Sequence, residues 1–76
     1  MRYSFLNMYG ERVAIEDTDS LREALDDAKN FECAIYDNEL EMLAYAIDPR
    51  EERFHWNERW VLAMADKENE NGNDDN

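Results

Sequence analysis

Acidic side chains interrupt this sequence so often that its apolar residues can be buried only as short amphipathic segments. The longest runs made solely of apolar residues, 42–47 and 60–65, are six residues each. Neither approaches the roughly 20 residues that a membrane-spanning helix needs, and the N-terminus holds no apolar run of signal-peptide length. A folded protein of the cytoplasm, with no membrane partner, is therefore expected. The chain carries 20 Asp and Glu against 8 Lys and Arg, a formal net charge of −12 on 76 residues.

That charge is uneven. Residues 11–41 hold 11 acids and 3 bases, and residues 66–76 add 5 acids against Lys67. Residues 48–59, with 4 acids and 3 arginines, are nearly neutral. Such a surface repels nucleic acid and anionic membranes, and it draws in basic partners at a rate that depends on salt. With a pI near 4.2 and no basic patch, direct nucleic-acid binding is not expected.

A chain of 76 residues is one small domain. Chains of this size bury only about 60–65% of the surface their unfolded form exposes. Yet 43% of the residues are hydrophobic and 9 are aromatic, which is too apolar for a disordered chain. Cys33 is the only cysteine, so no intramolecular disulfide can brace the fold.

Local patterning predicts the elements. Residues 1–9 read as a strand, Gly10 and Glu11 as a turn, and residues 12–16 as a second strand with Val13 and Ile15 on one face. Ser20 and Glu23 have capping-box spacing, and Leu21, Ala24, Leu25 and Ala28 recur at helical spacing up to a stop near Asn30. Residues 31–36 read as a strand, followed by a turn at Asp37 and Asn38.

Residues 40–47 fit two descriptions. As a strand, Leu43, Tyr45 and Ile47 share one face and Met42, Ala44 and Ala46 the other. As a helix, Leu40, Leu43, Ala44 and Ile47 form a stripe. The preceding turn and the following Pro49 favour the strand. Residues 58–66 are open in the same way: a helix capped by Asn57 with Trp60, Ala63 and Met64 aligned, or a last strand. Residues 68–76 contain no hydrophobic residue and are expected to be a disordered acidic tail. The fold class expected is α+β: an antiparallel sheet in β-β-α-β-β order with one amphipathic helix on it, a short final element, and a single domain over residues 1–67.

Two surfaces are candidates for binding. The first is acidic: Glu16, Asp17, Asp19, Glu23, Asp26 and Asp27. Duplex DNA presents about one charge per 1.7 Å of axis, and carboxylates clustered on one helical face approach that density. An ordinary solvated face with acids near a helix N-terminus explains the same residues without a partner. The second surface is aromatic: Phe54, His55, Trp56, Arg59 and Trp60, rich in the residue types that dominate interface hot spots. Completion of a thin core explains these equally well.

Other chemistries find little support. His55 and Cys33 are the only soft metal ligands, and the opening Asp17-Thr18-Asp19 departs from a calcium loop at Leu21 and Arg22, so no metal or cofactor is expected. Cys33, His55 and Asp48 can be written as a nucleophile, base and orienter, but a thiol between apolar neighbours is more simply a core residue. Two glycines cannot build a phosphate-binding loop. The expectation is a non-enzymatic module that docks on a basic surface of a larger protein, such as a nucleic-acid-handling complex. Phage inhibitors of restriction and CRISPR systems that mimic DNA offer an analogy of size and charge. The alternative is an interaction or homodimerising module that uses the Trp56 and Trp60 surface, with acidity serving solubility or salt adaptation.

Overall fold

The computed structural model describes residues 1–48 and 53–73. Four antiparallel strands, β1 (Tyr3–Leu6), β2 (Ala34–Asp37), β3 (Met42–Asp48) and β4 (Arg53–Trp56), lie side by side in sequence order. Two helices accompany them, α1 (Leu21–Phe31) and α2 (Glu58–Asn73). The class is α+β. The chain order is β-α-β-β-β-α, not the β-β-α-β-β expected from local patterning. The turn expected around Pro49 lies outside the described residues.

Helix α1 starts where its cap predicts. The Ser20 hydroxyl accepts the Glu23 N–H at 3.3 Å, which satisfies one orphan donor of the first turn. The reciprocal half of the capping box is replaced: the Glu23 carboxylate accepts the Thr18 hydroxyl at 2.8 Å, while Thr18 Oγ1 accepts the Ser20 N–H at 3.1 Å. The helix closes at Glu32, whose left-handed φ of 52° turns its N–H back to the Ala28 carbonyl. Phe31, expected to open a strand, is thus the last helical residue and stays exposed. Ala24 and Ala28 are fully buried, their small side chains letting the helix lie close to β1 and β2.

Residues 12–16 are not a strand. The segment returns alongside β1 but touches it at only two isolated bridges, Leu6 with Arg12 and Tyr3 with Thr18. Three steps along β1 separate those bridges, against six along the returning segment, so the excess must bulge outward and a continuous ladder cannot form. This strap still buries what its pattern promised, since Val13 and Ile15 pack against the core.

The strand reading of residues 40–47 is right, but its division into faces is not. Ile35 pairs with Tyr45 while Tyr36 pairs with Leu43, leaving Ala44 as an extra residue in β3. A bulge of this kind turns two consecutive side chains toward the same side. Ala44 and Tyr45 are accordingly both buried in the core, whereas Leu43 lies on the opposite face with Tyr36. The helical reading of the last element is also right. Trp60 is buried, and Ala63 and Met64 are half-buried. Helix α2 extends to Asn73, into the stretch expected to be a loose tail. Among the described residues, no helix is long and apolar enough to cross a membrane.

Asn57 connects the bulge to α2. Its side-chain oxygen accepts the Arg59 N–H at 3.0 Å and caps the helix. Its amide group donates to the Leu43 carbonyl at 2.7 Å, and its own N–H donates to the Ala44 carbonyl at 3.0 Å. Replacing Asn57 with Ala should destabilise the fold by about 2 kcal/mol, through a lost cap and a lost carbonyl partner. Asp is as good a cap but cannot donate to Leu43. Urea denaturation should therefore show Asn57→Asp well short of full rescue; wild-type stability for that variant would show that the bond to the bulge contributes nothing.

Candidate functional site

Asp37 was read from sequence as a turn residue, and the structure makes it the most heavily bonded carboxylate described. It is fully buried at the end of β2. Its Oδ1 accepts Arg2 Nε at 3.3 Å and the N–H groups of Glu39 and Leu40 at 2.9 and 3.2 Å. Its Oδ2 accepts Arg2 Nη2 at 3.0 Å and the Trp60 indole N–H at 2.6 Å. Burial pushes this carboxyl up, but donation from Arg2, Trp60 and the Leu40 N–H outweighs burial and holds it below the usual range. Arg2 also reaches Glu39 at 3.2 Å, and Lys67 of α2 pairs with the same Glu39. With five donors on two oxygens, Asp37 has no capacity left for a substrate. It is an anchor.

The acidic candidates are largely brought together. The strap supplies Glu16, Asp17 and Asp19, and α1 supplies Glu23 and Asp27 from one face at helical spacing. These five carboxylates line a shallow cleft of about 280 Å³ beside Met1. Asp26 points elsewhere on α1 and is exposed. The Tyr3–Thr18 bridge, with hydrogen bonds of 2.8 and 3.1 Å, ties the strap in place beneath the helix start.

Inside the cleft the carboxylates are held in different ways. Asp17 Oδ2 pairs with Arg12 and accepts the Ser4 hydroxyl at 3.1 Å, while its Oδ1 is shielded from solvent without a hydrogen-bond partner. Asp19 accepts the Arg2 N–H at 2.9 Å, and Glu23 accepts the Thr18 hydroxyl. Among the described residues, Asp17 is the one cleft carboxylate in an ion pair, so the cleft keeps most of its negative charge. No grouping of three or more His, Cys, Asp or Glu suited to a metal ion occurs among the described residues.

The aromatic candidates form a stack, though not on one helical face. Trp56 ends β4 and Trp60 lies in the first turn of α2, and the break at Asn57 folds their rings together at 5.2 Å and 11°. Tyr45 lies parallel to Phe54 at 5.3 Å and meets Trp56 edge-on at 5.0 Å. Trp60 belongs to the core, as does most of Phe54, whereas Trp56, His55 and Arg59 are exposed. Sequence reading missed Val61 and Leu62, which extend the exposed apolar surface from Trp56 onto α2. Their place in an uninterrupted apolar run gave no sign of which would face outward.

Cys33 does not meet His55. It is buried in the core at the start of β2, two strands from β4, and burial pushes its thiol up, away from reactive thiolate. No family model, curated protein or solved structure matches the chain.

The Asp37 anchor sets a pH dependence. A carboxyl held below its unfolded value, near about 3.9, adds stability that is complete above that value and is lost as pH falls through the folded pKa. Asp37→Asn leaves Arg2 with a neutral partner and should cost about 3 kcal/mol at pH 7. Chemical denaturation at pH 7 and at about pH 3 should show that gap narrowing at the lower pH, where the unfolded carboxyl is protonated and the folded ion pair is opposed. A gap of the same size at both pH values would refute the role of the ionised pair.

Proposed function

We propose that this protein is a non-enzymatic binding module whose acidic cleft docks on a basic, nucleic-acid-binding surface of a larger protein. The observation that carries this reading is the convergence of strap and α1, which gathers five carboxylates into one concave surface with a single arginine partner among the described residues. Three of the carboxylates are held in place, Asp17 by Arg12 and Ser4, Asp19 by the backbone of Arg2 and Glu23 by Thr18, so these have less conformational freedom to lose on binding. A preorganised row of anions offers a basic groove what a phosphate backbone offers, and it steers encounter through long-range attraction. Nucleases of restriction and CRISPR type, which keep such grooves open for DNA, are the natural targets.

Replacing Glu16, Asp19, Glu23 and Asp27 with Asn or Gln removes four cleft charges while keeping acceptors for the Arg2 N–H and the Thr18 hydroxyl. Fold stability should hold or rise, because self-repulsion falls. The test is displacement of labelled duplex DNA from a panel of purified nucleases, read by fluorescence anisotropy at two salt concentrations. Wild-type protein should displace DNA from at least one of them. The variant should bind that nuclease about 2–4 kcal/mol more weakly, at about 0.5–1 kcal/mol per exposed charge pair, with less salt dependence. Simultaneous binding of protein and DNA, or equal affinity of variant and wild type, would sink the proposal.

A further inference from the structure

Strand β4 is the last strand of the sheet, and among the described residues no backbone group pairs with its outer edge. The other outer edge, on β1, is partly covered by the strap through the Leu6–Arg12 and Tyr3–Thr18 bridges. An uncovered strand edge is a template for one more strand. Beside this one lies a groove of about 260 Å³ lined by Glu58 and by three exposed apolar residues, Trp56 (40% exposed), Val61 (45%) and Leu62 (65%).

Charge distinguishes among possible occupants. Residues 48–59, which contain β4, hold 4 acids and 3 arginines, so almost all of the net charge of −12 lies elsewhere. Next to β4 the exposed charges of Glu58 and Arg59 offset each other, so a basic partner is drawn to the acidic cleft rather than to this face. Another copy of the chain is repelled from most of the surface and meets least repulsion here.

We propose that β4 pairs antiparallel with β4 of a second copy across a two-fold axis, joining two four-stranded sheets into one. Symmetry sets the register. An axis perpendicular to the sheet keeps each side chain on its own face, and directly opposed residues of an antiparallel pair share a face. The axis therefore passes through a residue, not between two. Centred on His55, it sets each exposed Trp56 against the second copy's Phe54. Both side chains lie on the face that carries the helices, as their contacts with Tyr45 show. The new aromatic pairs continue the Tyr45–Trp56–Trp60 stack across the axis. This interface is separate from the acidic cleft and leaves both clefts of the dimer open.

Sedimentation equilibrium at tens of micromolar should give twice the 9.1 kDa chain mass. Trp56→Glu should give a monomer with an unchanged circular dichroism spectrum. Because Trp56 also supports Trp60, a second variant tests the register without touching the stack. His55→Cys places two thiols at the axis, and mild oxidation should link the chains about tenfold faster than it links Asn30→Cys, an exposed thiol on α1, which packs on β1 and β2. Monomeric wild-type protein up to about 100 μM, or equal rates for the two cysteine variants, overturns the proposal and assigns the groove to a different protein.

Discussion

The buried carboxylate of Asp37 joins three parts of the chain at one point. Arg2 brings the N-terminus, the Glu39 and Leu40 amides bring the β2–β3 turn, and the Trp60 indole brings α2. A small domain with a thin core gains specificity from such a point, because a buried charge is tolerated only in the one arrangement that supplies its partners. Displacing α2 would take away the Trp60 donor and leave the carboxylate with Arg2 and two backbone amides. Met64, which contacts Arg2 through its sulfur, and Lys67, which pairs with Glu39, extend the same attachment along the helix.

A second constraint acts where β3 meets α2. The extra residue at Ala44 turns two consecutive side chains into the core, and Asn57 occupies the carbonyls of Leu43 and Ala44 while capping the helix. That cap fixes where β4 ends and α2 begins, and so brings Trp56 over Trp60. The core lies between the sheet and both helices. The opposite face keeps Leu6, Leu43 and Ala46 around a groove of about 330 Å³ next to the exposed Met8 and Tyr9.

Placement of charge follows from the same architecture. The strap crosses beside the start of α1, so acids from two separate stretches share one cleft, while the aromatic residues of β4 lie at the far side of the sheet. Charge and aromatic surface are thereby kept apart.

Much of this was legible in the sequence because it depends on neighbours a few residues apart. Ser20 and Glu23 announced the start of α1, the repeat of Leu21, Ala24, Leu25 and Ala28 announced its buried face, and Asn57 was recognisable as a cap. Charge density marked the acidic surface, and five of its six proposed residues do line one cleft. The buried role of Asp37 left no local signal, since an Asp-Asn pair reads as a turn whether or not Arg2 and Trp60 come to meet it. The failure of residues 12–16 to form a strand depends on a register set by two bridges, and alternation alone cannot report how many residues lie between them. The bulge at Ala44 is of the same kind, because it exists only relative to the partner strand. Propensity, capping and charge are properties of short stretches of chain, so the sequence by itself determined them; pairing register, burial of a charged group and the outward face of an apolar run are relations between distant segments, so only the tertiary structure decided them.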